Sequence, residues 1–389
     1  MPTSLPEPIL QELVETRRDL HMHPEFAFQE VRTAGIVAER LRALGLEVRS
    51  GVAKTGVIGL LRGSQPGKTV LVRADMDCLA VPEENDIPYR SQTPGLMHAC
   101  GHDGHTSVAL TVARVLSERR ESLKGNVKFV FQPAEEAPGG AEPMIREGAL
   151  ENPHVDVCLG LHLWNEIPAG QVGVLEGPLM AATGEWYATI TGKGGHGAMP
   201  QATVDPVVAA CHCVLALQTI LSRNVDPLQP AVVTVGMLQA GAMFNVIPHE
   251  AKLAGTIRSY DPAVHRLLET RLRSVLEHTS EALGAKAALD YHPGYPVLVN
   301  DPGMCDIVRA AAADVVGEAN VIPAVRVMSG EDMAYFLRER PGCFFFVGSA
   351  FTDGQEVWPH HNPRFNIDES SLPIAAQVMI GAVERCLAQ

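Results

Sequence analysis

What most constrains this 389-residue chain is a repeated alternation: short apolar runs of strand character, separated by segments of helical spacing, end in acidic or metal-competent residues. Leu10, Leu13, Val14 and Leu20 recur at helical spacing, and Ile36, Val37, Leu41 and Leu44 repeat it before Gly45 stops the run. Apolar runs follow at 57–61, 69–72, 127–131 and 155–163, with a helical segment at 107–116 between them. Strands this short, interleaved with helices, predict a mainly parallel α/β sheet covered on both faces. A hydrophobic content of 46% is enough to fill such a core, which excludes disorder for most of the chain.

Near Gly184 the texture changes. Strand patterns at 185–191, 231–238, 251–259 and 287–291 enclose two helices, 205–221 and 261–283, each opened by an Asp-Pro pair. The order β-α-β-β-α-β is that of a ferredoxin-like sandwich. After Pro296 the first texture resumes, with a helix at 302–316, a strand at 343–348 and a closing helix from Leu372. The expected organisation is a small α+β domain, 184–292, inserted into a larger one made of 1–183 and 293–389.

The balance of 31 Lys plus Arg against 45 Asp plus Glu gives a charge of −14 and no basic window that could track a phosphate backbone, so nucleic acid is not an expected partner. No stretch of 18 residues lacks charges or turn formers, and residues 1–12 have neither a basic start nor an apolar block, which argues against a membrane span and a secretory signal. Eight cysteines with no CxxC pair, sparse in a chain this long, fit a reducing cytoplasmic setting.

The chemistry collects where strands end. Val70-Leu71-Val72 leads into Arg73-Ala74-Asp75-Met76-Asp77, and the run at 127–131 leads into Gln132-Pro133-Ala134-Glu135-Glu136. The run at 158–161 meets His162, and 344–348 is followed by a loop with His360 and His361. Met97-His98-Ala99-Cys100-Gly101-His102-Asp103-Gly104-His105 stands just before a helix. Carboxyl ends of parallel strands share one edge, so these clusters converge on a single crevice.

Cys100 and His102 lie two apart around Gly101 and can face one ion, as ligands of borderline softness suited to Zn, Co, Ni or Mn. Glu135 and Glu136 are adjacent and point roughly opposite ways, so one can ligate while the other serves as a free general base. Singly, such residues read as a packed histidine, a solvated Glu pair and a buried thiol. Gathered at strand ends, they read as a metal-dependent hydrolytic site. The competing reading, a Cys100 nucleophile beside a histidine, leaves Glu135-Glu136 and three separate histidines unused. Lys193-Gly194-Gly195-His196-Gly197 lacks the strand and Ser/Thr order of a phosphate loop. His21-Met22-His23-Pro24 ends a helix outside the strand-end set and reads as structural.

Eight motifs in order now identify a resemblance: Arg73 to Asp77, Met97 to His105, Gln132 to Glu136, Gly192-Lys-Gly-Gly-His196, Asn245-Val-Ile-Pro248, Gly255-Thr-Ile-Arg258, Ser329-Gly-Glu-Asp332 and His361-Asn-Pro363. The chain resembles the metal-dependent amidohydrolases of the hippurate hydrolase and N-acyl-amino-acid amidohydrolase group, which includes aminoacylases and plant auxin-conjugate hydrolases. The resemblance implies an α/β catalytic domain with two divalent metal ions per subunit (Zn, Mn, Co or Ni) and an inserted lid domain that mediates homodimerisation, with higher assembly open. It makes Cys100, His102, Glu136, His162 and His361 the metal ligands, with Cys100 shared, and the match of His361-x-Pro363-x-Phe365 selects His361 over His360. It makes Glu135 the general base, Asp75 the orienting carboxylate for a ligand imidazole such as His102, and His196 a lid residue that reaches a partner's site to stabilise the oxyanion. Asn245 and Arg258 match lid positions that hold the substrate carboxylate.

The implied reaction is hydrolysis of the amide of a small N-acyl amino acid, N-acetyl or hippurate-like. A carboxypeptidase or dipeptidase, or an idle relative that binds carboxylated amides, are the alternatives. The chain departs from relatives at Ala80, at Gly197 and Gln201 after the lid histidine, and at Leu163-Trp164-Asn165-Glu166 after His162, none of which removes an expected ligand.

Overall fold

A computed structural model describes residues 5–389. In chain order it contains α1 (Glu7–Met22), α2 (Val31–Ala43), β1 (Glu47–Val52), β2 (Gly56–Arg62), β3 (Gln65–Asp75), α3 (His102–Glu118), β4 (Lys124–Gln132), α4 (Ala141–Arg146), β5 (Val157–Pro168) and β6 (Val172–Val174). Next come β7 (Gly177–Met180), β8 (Ala182–Thr191), β9 (Gly195–His196), α5 (Pro206–Asn224), β10 (Ala231–Ala240), β11 (Val246–Ile247), β12 (Glu250–Ser259), α6 (Pro262–Ala282), β13 (Lys286–Pro293) and β14 (Leu298–Asn300). The chain ends with α7 (Pro302–Val316), β15 (Val321–Pro323), α8 (Met333–Glu339), β16 (Gly342–Ala350) and α9 (Ser371–Ala388). It divides into two compact units, the second made of Pro178–Leu298 and Arg326–Gly330.

The first unit is built on an eight-stranded sheet in the order β1-β2-β4-β3-β5-β16-β6-β15. Its central strands β4, β3, β5 and β16 are mutually parallel. β2 runs antiparallel to β4, because only two residues separate it from β3, too few for a crossover. Val70, Val72, Phe129, Phe131, Leu159, Leu161, Phe345 and Val347 are buried, as the strands of a sheet covered on both faces must be. The polar edge strand β1 has an exposed burial pattern, and its sequence carries no apolar run to announce it.

The second unit has a four-stranded antiparallel sheet, β10-β12-β8-β13, the strand order of a ferredoxin-like sandwich. Asp205 and Asp261 each accept two backbone N–H groups at the starts of α5 and α6, ahead of Pro206 and Pro262, so the two Asp-Pro pairs are helix caps. One face of the sheet, with Trp186, Ile190, Leu253 and Ile257, packs on Leu217, Leu268 and Leu272 of these helices. The short segment Arg326–Gly330 joins this unit through the Ala181 N–H, which donates to Ser329 O at 3.0 Å, a return that nothing in the sequence pattern signals.

Two helices, α5 and α9, have the length and composition to cross a membrane. α9 is a core helix of the first unit, with Leu372, Ala376, Val378, Met379 and Val383 buried. α5 buries one side on its sheet and exposes Val208 and Leu215 on the other.

Candidate metal centre

All the expected ligands lie in the first unit, at or near the carboxyl edge of its parallel strands. The period of two along β3 and its continuation sets Arg73, Asp75 and Asp77 on one side, and all three are buried. Gly101 opens α3 with φ +84°, a left-handed conformation that any side chain would strain, so the glycine between Cys100 and His102 is a backbone requirement. His162 sits inside β5 rather than after it, since that strand runs on to Pro168. His361 itself adopts φ +68°, and its N–H donates to Ala99 O at 2.8 Å, tying the loop after β16 to the Cys100 loop.

Two trios of donor atoms, Cys100 with His102 and His162, and Cys100 with Glu136 and His361, each lie within 4.8 Å of one another. Cys100 belongs to both, the arrangement of a two-cation centre with one shared ligand. Its Sγ is 3.5 Å from His162 Nε2, and His361 Nε2 is 3.1 Å from Glu136 Oε1. Each imidazole in the first trio has its other nitrogen engaged: His162 Nδ1 donates to Leu163 O at 2.8 Å, and His102 Nδ1 is 3.0 Å from Asp77 O. That leaves Nε2 of each facing inward.

His102 Nε2 is buried with no hydrogen-bond partner among the described residues, and the buried Glu136 Oε1 has the His361 imidazole within ion-pair distance. A buried polar atom left without a partner, as His102 Nε2 is, costs about 1–3 kcal/mol, and a divalent cation would satisfy it, so the donor set fits the metals implied. The electrostatics agree. Burial works against a charge on His102, but Asp75, Asp77 and Glu136 outweigh it and push its pKa up to about 10. Burial, with Glu136 and Glu135, pushes the Cys100 thiol well up. The pocket is thus built to hold positive charge, by proton or by metal.

The carboxylate on His102 Nδ1 is that of Asp77, at 3.3 Å, whereas Asp75 lies 3.9 Å from His102 Nε2 and accepts from His105 Nδ1 at 2.7 Å. The expected orienting duty of Asp75 toward His102 therefore falls geometrically to Asp77. The cause is that the Asp77 backbone carbonyl and carboxylate both reach Nδ1, while Asp75 faces the next turn of α3. His105 has its second nitrogen occupied as well, accepting the Leu163 N–H at 2.9 Å, so it supports the centre without a free donor for a cation. His360 Nε2 donates to Leu163 O at 3.0 Å and stacks near Trp164, which leaves His361 as the histidine facing Glu136.

Glu135 is buried, and its carboxyl is held well above the usual range by burial and by Glu331 and Glu136. Behind it, Arg73 is paired at 2.6 Å with Asp75 and at 2.9 Å with both Glu331 and Asp332. Burial pushes the Glu331 carboxyl up to about 8 although Arg73 opposes it. Asp332 also accepts from Gln132 and from the Gly140 and Ala141 N–H groups, anchoring the turn after Glu136. Breaking one partner out of a buried ion pair of this kind costs about 3–5 kcal/mol. Arg73, Asp77, His105, Glu331 and Asp332 were visible in the sequence only as members of motifs. Their signal was the strand period of two for Asp77 and the helical spacing of three between His102 and His105.

His21, buried, is hydrogen-bonded to Asp103 at 2.7 Å and Glu83 at 3.2 Å, outside both donor trios. His23 bonds Asp19 O at 2.8 Å. In the second unit, His196 pairs across the β9–β11 ribbon with Val246, and the Gly197 N–H donates to Asn245 O at 2.8 Å, so His196 and Asn245 are neighbours on one exposed ribbon. His196 Nδ1 accepts the Ala198 N–H at 3.0 Å, which puts the ring proton on Nε2. Arg258 lies on β12 beside a shallow depression in the helix-free sheet face, lined also by Glu185, Tyr187 and Gly236.

The sequence pattern of peptidase family M20/M25/M40 matches residues 71–385. N-acetyl-L-cysteine deacetylase of Bacillus subtilis is 40% identical over 97% of this chain and 88% of its own, and N-acyl-L-amino acid amidohydrolase of Geobacillus stearothermophilus is 39% identical over 87% and 94%. Bacillus subtilis YXEP, whose crystal structure is that of a dinuclear metal binding peptidase from the M20 family, is 33% identical with a TM-score of 0.85 over 99% of this chain and 100% of its own. The fold, the paired donor trios and these likenesses agree, and the chain belongs to peptidase family M20/M25/M40.

Proposed function

We propose that this protein hydrolyses the amide bond of N-acyl amino acids, N-acetyl or hippurate-like, to a carboxylic acid and a free amino acid. The observation that carries this is the pair of donor trios sharing Cys100 beside the buried carboxyl of Glu135. The relatives named as a deacetylase of N-acetyl-L-cysteine and an amidohydrolase of N-acyl-L-amino acids support the substrate class. Cys100, His102, Glu136, His162 and His361 would hold two divalent cations per subunit, Zn, Mn, Co or Ni by donor type. Bound there, the cations supply Lewis acidity for the amide carbonyl and acidify the attacking water.

Glu135 takes the proton of that water, and its raised pKa makes it the stronger base for the task. It then delivers the same proton to the departing amine. Asp75 holds His105 and Arg73 in place behind the centre. His196, with its proton on Nε2, donates to the oxyanion of the tetrahedral intermediate, while Asn245 and Arg258 hold the substrate carboxylate.

The protein works as a homodimer through the second unit. Support comes from the exposed apolar side chains on α5 (Val208, Leu215), on the edge strand β10 (Leu238) and around His196 (Met199, Met243, Phe244). A cytoplasmic setting suits a thiolate ligand, and all eight cysteines are unpaired.

Glu135→Gln tests the reading. Turnover of N-acetyl and N-benzoyl amino acids should fall by about 10⁴-fold, the upper range for a general base, while metal content stays at two per subunit. Turnover near the parent's would sink the assignment of the base.

A further inference from the structure

Glu30 precedes α2, lies 104 residues from the Glu135 turn, and is completely buried. Its Oε1 accepts two backbone N–H groups, from Phe28 at 3.0 Å and from Ala134 at 3.0 Å, and its Oε2 accepts from Thr55 Oγ1 at 2.5 Å. Both amide donors belong to non-glycine residues in the left-handed region, Phe28 at φ +60° and Ala134 at φ +55°. Such a conformation costs of order 1–3 kcal/mol in a residue with a side chain and persists only where its surroundings hold it. One buried carboxylate therefore holds two strained peptides from distant parts of the chain.

The second of these peptides matters for chemistry. Ala134 directly precedes Glu135, and on the other side the Glu136 N–H donates to Asp77 Oδ2 at 3.0 Å. The backbone of the base is clamped before and after, by Glu30 and by Asp77. The Asp77 clamp touches a ligand imidazole as well, so it belongs to the metal centre. The Glu30 carboxylate hydrogen-bonds none of the expected ligands, and its one bond to this turn is to the Ala134 N–H.

We infer that Glu30 is a positioning residue for Glu135: by holding Ala134 in its left-handed conformation, it fixes the direction in which the carboxyl of the base leaves the chain. This rests on the reading of Glu135 as general base. A base displaced by an ångström loses about 100-fold in rate while the substrate still binds. Released from Glu30, Ala134 would relax toward an ordinary backbone conformation and swing Glu135 with it.

The test measures kcat, KM, metal content and melting temperature on full-length Glu30→Ala, Glu30→Gln, Glu30→Ala/Ala134→Gly and Glu135→Gln, with an N-acyl amino acid the parent hydrolyses. Glu30→Ala should lower kcat by about 100-fold with KM within about threefold of the parent and two metals still bound. Glu30→Gln keeps an acceptor oxygen and should lose less than about tenfold. Ala134→Gly removes the strain that Glu30 offsets, so the double variant should recover a large part of the lost kcat. Loss of metal in Glu30→Ala, equal loss in kcat and in KM, or no recovery in the double variant would show Glu30 to be a fold residue only and overturn the inference. If Glu30→Ala fails to fold, Glu30→Gln and the double variant still decide it. Full activity in Glu135→Gln would instead overturn the base itself, whatever Glu30 does.

Discussion

The two units treat their functional residues in opposite ways. In the first, most groups around the metal centre are buried and tied to a carboxylate or carbonyl, down to Arg73 among Asp75, Glu331 and Asp332, and only His361 stands exposed. In the second, His196 and Asn245 stand on a two-stranded ribbon flanked by Phe244 with 99% of its surface exposed. Burial preorganises the metal site at the cost of desolvating many charges, which only cations and paired partners can offset. The exposed ribbon carries one preset proton, on His196 Nε2, and depends on what it meets for the rest. The first unit gathers its donors in a buried, paired setting, whereas the second leaves its polar and apolar groups on the surface.

The sharpest way to break this contrast is to remove the metal. A chelator should abolish turnover, and Zn, Mn or Co should restore it, because Glu135 alone cannot generate the nucleophile. The affinity should also depend on pH with a definite sign. Without a cation, His102 holds its proton up to about pH 10 and the Cys100 thiol is raised, so both must lose protons to ligate. Metal binding should therefore release protons and tighten as pH rises from 6 to 8. Titration calorimetry in buffers of different ionisation enthalpy reads the proton count. Binding without proton release, or full activity in metal-free protein, would return Cys100 to the role of nucleophile.

How much of this was legible in the sequence follows the same division. The helix at 302–316 and the parallel strands with their terminal clusters were readable because each is a strong local pattern: an Asp-Pro cap, a β-branched run, then donors. The role of Asp77 was not, because Asp75 and Asp77 share one face and only the approach of α3 decides which of them meets His102. Glu30 was invisible, since its partner Ala134 is distant in sequence and its strain lies in a backbone angle that composition does not encode. Strand β1 was missed for a simpler reason, as an exposed polar edge offers no apolar alternation to read.

The exposed side of the contrast is sharpened by His196→Ala, with an expected loss of about 10²–10³ in kcat, the usual worth of one oxyanion donor, and little change in substrate affinity. Mixing His196→Ala with Glu135→Gln should restore part of the rate, because a mixed dimer then has one intact combination of base and lid histidine. If subunit exchange is confirmed by mass and the rate does not recover, the site is not shared between copies. The size of the His196 loss also reports on the ribbon. A loss below about tenfold would mean that the exposed residues around it serve docking and not catalysis.

The smallest expected effect concerns Arg258. Its guanidinium is pulled down by burial while Glu185 opposes this, and it makes no ion pair or hydrogen bond among the described residues. A half-buried cation without a partner is poised for an anion brought from outside, and its planar fork matches a carboxylate in two parallel hydrogen bonds. Arg258→Lys keeps the charge and loses the fork, so KM for an N-acyl amino acid should rise about tenfold with kcat nearly unchanged. The corresponding N-acyl amine, which has no carboxylate, should be hydrolysed equally poorly by parent and variant. If Arg258→Lys instead lowers kcat on both compounds alike, the residue serves the sheet of the second unit, and the substrate carboxylate must be held by Asn245 or by the cations of the first.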